Sequence, residues 1–112
     1  MKTNFDVELL PEAFAFIKKQ DLKVRKKIFQ NLNRAKQSLD PTLFKKLNKE
    51  IWEFRTRYNG VQYRLLSFWD KTNDIETIVF ATHGFKKKKD KVDKREIQKA
   101  ERIRNQYFKN KS

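Results

Sequence analysis

Two alternating runs rich in β-branched and aromatic residues meet at Asn59-Gly60, the dipeptide best suited to the positive φ angles of a two-residue type I′ turn. The stretch Ile51 to Trp69 therefore reads as one β-hairpin, and the turn fixes its register. Tyr58 falls opposite Val61, Arg57 opposite Gln62, Thr56 opposite Tyr63 and Arg55 opposite Arg64. One face then presents Trp52, Phe54, Tyr58, Val61, Tyr63 and Leu65, which supply a core side. The other presents Glu53, Arg55, Arg57 and Arg64. Like charges directly across an antiparallel pair destabilise it, on a scale of roughly 0.2–1 kcal/mol. The cluster thus points either to an anion seated between the guanidiniums or to arginines splayed into water and paired with Glu53.

The remaining segments supply elements to pack on that hairpin. Asn4 to Leu10 alternates (Phe5, Val7, Leu9) as a first strand, and Pro11 opens a helix reaching Gln20 through Ala13, Phe14 and Ile17. Asp21 can cap a second helix with the stripe Val24, Ile28, Leu32, Ala35 and Leu39, closed by Asp40-Pro41. Leu43 to Leu47 suits a short strand, and Ile75 to His83 a clear one, with Gly84 as the next break. Asp93 can cap a final helix whose thin stripe is Ile97, Ala100, Ile103 or Arg104, and Phe108. Helices precede strands rather than alternating with them. The pattern predicts one α+β domain over residues 1–112: a mainly antiparallel twisted sheet, an N-terminal helical hairpin on one face, a C-terminal helix, and the arginine face left open.

Composition narrows the chemistry. With no cysteine and one histidine, thiolate zinc sites, multi-histidine metal sites and thiol nucleophiles are excluded, and the inventory calls for no metal and no cofactor. No apolar run approaches the roughly 20 residues of a membrane span, and the N-terminal stretch lacks a signal-peptide core, so a cytoplasmic protein is expected. Twenty-eight Lys and Arg against fourteen acids leave a net charge of +14, which predicts a polyanionic partner. From Gly84 onward 12 basic residues face 4 acidic ones.

RNA cleavage is the reaction such an inventory can run without a metal. It needs a base for the ribose 2′-hydroxyl, cations for charge growing on the phosphate, and a proton donor for the departing 5′-oxygen. Arginine holds two phosphate oxygens at once, so Arg55, Arg57 and Arg64 form the candidate clamp. His83, at the end of the last strand, is either the acid or base or a strand-end hydrogen-bonder. Glu53 is either a second base or an ion-pair partner that orients an arginine. Lys86, Lys87 and Lys88 either hold phosphate or form a solvated basic run. Phe85 either stacks on a base or anchors its loop.

These features in order resemble the RelE/ParE superfamily of bacterial toxins, most of all its HigB-like branch. The carriers are Lys45-Lys46-Leu47 leading to Ile51-Trp52-Glu53-Phe54-Arg55, then Tyr63-Arg64, then His83-Gly84-Phe85 followed by Lys87-Lys88 and Glu96-Ile97. The resemblance implies a RelE-like fold and a ribosome-dependent mRNA endonuclease that cuts in the A site, leaving a 2′,3′-cyclic phosphate and a 5′-hydroxyl. It also implies a cognate helix-turn-helix antitoxin, with operator DNA bound only through the complex. Arg55 and Arg64 would be basic sheet residues of the site, with His83, Lys86, Lys87 and Lys88 at its rim. Val92-Asp93 stands where the family often has threonine-proline, and no tyrosine sits just after the last strand, where some ribosome-dependent relatives place one. The alternatives are a ParE-like gyrase inhibitor, which has no evident use for a phosphate clamp, and a non-catalytic nucleic-acid-binding module.

Overall fold

The computed structural model describes residues 4–38, 40–73, 75 and 77–111. Five strands and three helices follow one another as β1 (Asp6–Leu9), α1 (Pro11–Lys18), α2 (Leu22–Gln37), β2 (Phe44–Lys46), β3 (Trp52–Tyr58), β4 (Val61–Asp70), β5 (Ile78–Lys87) and α3 (Lys94–Lys111). The strands form one sheet in the order β1-β5-β4-β3-β2. Every neighbouring pair is antiparallel except β1 and β5. The α+β architecture is the one expected, and it is compatible with a RelE-like fold.

The β3–β4 hairpin closes as its turn dictates. Asn59 and Gly60 take φ of 50° and 77°, and Arg55 stands opposite Arg64, Thr56 opposite Tyr63, Arg57 opposite Gln62. Its apolar face meets α1 and α2. Val24, Ile28, Leu32 and Ala35 of α2 are buried with Phe5, Phe44, Phe54, Leu65 and Val79. Asp21 stands at the N-cap of α2 but makes no side-chain cap hydrogen bond. Leu39 lies outside the described residues.

The arginine-bearing face is not left open along its length. Helix α3 lies across it, and Ala100, Tyr107 and Phe108 close a second core over Ile51, Leu66, Phe68 and Phe80. Tyr107 is what the thin stripe lacked: its ring centroid sits 4.6 Å from that of Phe80. Asp93 does start the helix, accepting a hydrogen bond from the Arg95 amide at 2.8 Å. Towards the hairpin end of this face Arg55 is partly exposed and Arg57 exposed.

The last strand also differs from expectation, running from Ile78 through Gly84 to Lys87 rather than from Ile75 to His83. Gly84 is no break. A Cβ there would stand 2.2 Å from Phe16 Cδ2 and 2.7 Å from Leu65 Cδ2, so the glycine serves close packing beneath α1 within a continuous strand. One residue earlier the ladder is irregular. Leu66 pairs with His83 but Ser67 pairs with Ala81, which leaves Thr82 as the extra residue of a β-bulge that sets His83 toward α3.

The far end of α3 is pinned through Asp70, a buried carboxylate. It accepts hydrogen bonds from Tyr107 Oη and Lys111 Nζ, each at 2.6 Å, and from Thr72. Burial raises its pKa, but the bonds from Lys111, Tyr107 and Thr72 outweigh burial and hold the carboxyl well below its usual range. A depressed folded-state pKa contributes stability that is present above the unfolded value of about 3.9 and is lost as pH falls through the folded one. Asp70→Asn should therefore lower unfolding stability at pH 7 by about 1–3 kcal/mol. In urea titrations that deficit should shrink as the pH drops below about 4; a deficit independent of pH would assign the loss to packing instead.

Candidate active site

Glu53 is the centre of the hairpin end. The residue is 3% exposed, among the arginines of its own face. Arg64 Nε lies 3.0 Å from Glu53 Oε1, and Arg55 Nε 3.8 Å from Oε2. The cross-strand arginine repulsion is thus answered within the chain, as the ion-pair reading of Glu53 expected. Arg64 is equally buried, at 3%, and its remaining nitrogens reach Gln62 Oε1 at 2.6 Å and the Tyr63 carbonyl at 3.4 Å. Burial pulls its pKa down, and Glu53 pulls it back up. Arg64 is therefore a fixed internal charge, while Arg55 is the member that faces outward: its side chain is 30% exposed and donates to the Pro41 carbonyl at 3.2 Å. Asn31 on α2 steadies this segment, donating to Thr56 Oγ1 at 3.2 Å and more weakly to the Arg55 carbonyl.

Two concavities meet at Arg55. The first, about 370 Å³, is a groove between β2, β3 and the segment leading into α3; Lys45, Glu53, Arg55, Lys87, Asp90 and Lys91 give it its charge and Leu47, Val92 and Ile97 its floor. The second, about 400 Å³, wraps the edge of β3 beyond the end of β2. It gathers Lys27 and Arg34 of α2 with Arg55, Arg57 and Arg64, and among the described residues no carboxylate lines it. Both have the volume of small-ligand sites, and together they make a continuous cationic surface around one edge of the sheet.

The expected site residues are partly gathered and partly separated. Glu53, Arg55 and Lys87 share the groove, and Arg57 and Arg64 line the adjoining concavity. Lys86 and Lys88 line neither of these two, but with Phe85, Lys87 and Lys91 they line an adjoining cleft against Val92, Asp93 and Glu96. Successive side chains of a strand alternate between faces, so Lys86 sits on the helix side with its Nζ 5.9 Å from the Tyr63 ring. There it lines a separate cleft with Phe16, Lys19 and Lys88. Phe85 is half-buried, its ring 5.9 Å from that of His83, in the position of an anchor.

His83 lines neither arginine concavity. It is 3% exposed, with Nδ1 3.0 Å from Thr82 Oγ1 and Nε2 3.0 Å from Glu96 Oε1. Burial lowers its pKa despite the opposing pull of Glu96. The imidazole joins the bulge of β5 to the first turn of α3, which carries Ile97 into the groove wall.

Asp90 and Lys91 in the groove were not singled out from the sequence, and Lys45 entered there as a carrier of the family resemblance and not as a site residue. Lys45 faces Glu53 directly across β2 and β3; a three-residue strand gives no alternation from which to read that register. Among the described residues no group of His, Cys, Asp and Glu could hold a metal ion, and no described helix is long and apolar enough to cross a membrane. A family model described as phage-derived protein Gp49-like (DUF891) matches residues 15–105. No curated protein matches the chain significantly.

Proposed function

The chain belongs to the Gp49-like family of phage-derived proteins, a toxin-like family of toxin–antitoxin systems, and from that premise we propose that it is a metal-independent endoribonuclease acting on mRNA at the ribosome. In this reading residues 1–112 form a single toxin domain of the HigB-like kind, working in the cytoplasm and neutralised by a cognate antitoxin. The observation that carries it is the Arg64–Glu53–Arg55 cluster: one buried arginine and one outward arginine, held by a shared carboxylate at the junction of two cation-lined concavities.

The chemistry follows from that placement. A phosphate of the strand sits against Arg55, with Lys45, Lys87 and Lys91 around it, and the fixed charge of Arg64 adds to the field without touching the phosphate itself. The ribose 2′-oxygen gives up its proton, attacks the adjacent phosphorus and closes a 2′,3′-cyclic phosphate. The bond from phosphorus to the 5′-oxygen breaks, and that oxygen takes a proton. Glu53, set between two arginines, and Asp90 are the carboxylates at hand for the first proton; Lys87 and Lys91 are the donors at hand for the second. His83 acts as a positioning residue, holding α3 against the groove through Glu96.

The test is a translating extract programmed with a defined mRNA. Addition of the protein should cut the message within its translated frame, leaving cyclic phosphate and 5′-hydroxyl ends, and should leave the same RNA whole when translation is blocked before initiation. Intact mRNA on arrested ribosomes would sink this reading. DNA breaks in intoxicated cells with mRNA untouched would favour gyrase instead.

A further inference from the structure

The chain has two tryptophans, and the fold places both in one cleft away from the arginine groove. Trp52 and Trp69 line a space of about 500 Å³ together with Lys46, Lys49, Glu50 and Lys71. It lies on the opposite face of the sheet, where the aromatic row that begins under the helices with Phe54 and Phe44 comes out to solvent. Phe44 stacks on Trp52 at 4.8 Å and 27°, and Trp69 meets Trp52 edge-on at 5.6 Å. Both indoles are only half-buried.

The charges around them are uncompensated. Lys46, Lys49 and Lys71 are exposed, and none pairs with a carboxylate among the described residues. Lys71 Nζ lies 5.0 Å from the Trp69 ring centroid. Glu50, the carboxylate of the cleft, is held by Arg104 at 3.0 Å. Flat aromatic surface beside free cations matches the two parts of a nucleotide, since bases stack on aromatic rings and phosphates pair with lysine.

The two sites are joined by adjacent residues. On β2, the edge strand of the sheet, successive side chains point to opposite faces: Lys45 lines the arginine groove and Lys46 the tryptophan cleft. We propose that the cleft is a second binding surface for the same single-stranded RNA whose phosphate lies against Arg55. The strand crosses the β2 edge, a base stacks on the free side of Trp52 beside Trp69, and flanking phosphates meet Lys46, Lys49 and Lys71. This second surface rests on the reading of the groove as an RNA site.

Because both tryptophans lie in the cleft, tryptophan emission, excited selectively over that of the three tyrosines, reports on it alone. The full chain is titrated with a 2′-O-methyl uridylate decamer, which binds but offers no 2′-hydroxyl to react. Emission should fall saturably with the decamer and stay unquenched with inorganic polyphosphate of equal length, which carries charge without bases. The variant Lys46→Ala/Lys49→Ala/Lys71→Ala, altered only at exposed positions, should bind at least tenfold more weakly. Its salt slope should be lower by about 2, at roughly 0.7 for each lysine–phosphate pair removed. Unchanged emission while an end-labelled decamer shows binding would overturn the proposal. So would equal quenching by polyphosphate or polyglutamate, or a triple variant that binds as the parent does. The two readings separate cleanly: no quenching with translation-dependent cleavage intact removes the cleft and leaves the groove, whereas quenching without cleavage removes the nuclease and leaves the RNA-binding cleft.

Discussion

Arg55→Ala should slow mRNA cleavage in the translating extract by about 10²–10³-fold, the loss typical of removing one preorganised donor to a developing oxyanion, about 2.7–4 kcal/mol. The fold should tolerate the change. The Arg55 side chain is 30% exposed and sits at the longer of the two distances from Glu53, 3.8 Å against 3.0 Å for Arg64, so Glu53 keeps its closer partner. Urea unfolding should shift by no more than about 0.5 kcal/mol, the usual range for surface positions. Arg55→Lys keeps the charge but not the fork that holds two phosphate oxygens, and should recover only part of the rate. Cleavage at the parental rate in Arg55→Ala would remove this residue from the clamp and with it the main support for the nuclease.

Arg64→Ala is expected to act first on stability. It leaves a buried carboxylate with one distant partner, and breaking a buried ion pair from one side costs about 3–5 kcal/mol. A domain of this size has about 5–15 kcal/mol in total, so the variant should be partly unfolded at 37 °C, and any loss of toxicity there would be ambiguous. The double replacement Glu53→Leu/Arg64→Met separates the effects. Removing both charges for apolar side chains of similar size is often neutral or stabilising, so the double variant should regain most of the urea midpoint that Arg64→Ala loses while remaining inactive. If the double variant is no more stable than the single one, the pair matters for packing rather than charge.

How much of this was legible follows from the range of the interactions. The hairpin register could be counted because a two-residue turn transmits its geometry to every pair above it, and Arg55 opposite Arg64 needed nothing else. Strand β5 reads short in the sequence because Gly84 looks like punctuation. Its reason for being glycine is Phe16, some sixty-eight residues earlier in the chain, and no local pattern carries that. Helix α3 misleads in the same way: its stripe is thin until Tyr107 is set against Phe68 and Phe80. Of the site, the residue types were readable and their burial was not. His83 has the side chain of a proton shuttle, but the bulge at Thr82 and the carboxylate of Glu96 enclose it. Lys45 and Lys91 reach the groove from a three-residue strand and a loop, where sequence carries no period.

The one parallel pairing in the sheet bears on timing. Strand β1 is made first, yet its partner β5 lies some seventy residues further along the chain, with Asp6 set against Ile78. Pairings so distant in sequence form late and slowly. During synthesis the β3–β4 hairpin can close as soon as it emerges, but the groove cannot, because Lys87, Asp90, Lys91 and the first turn of α3 have yet to appear. A nascent chain therefore carries its arginines without a site to use them. The groove is complete once β5, Lys91 and the first turn of α3 have joined a hairpin that closed long before them.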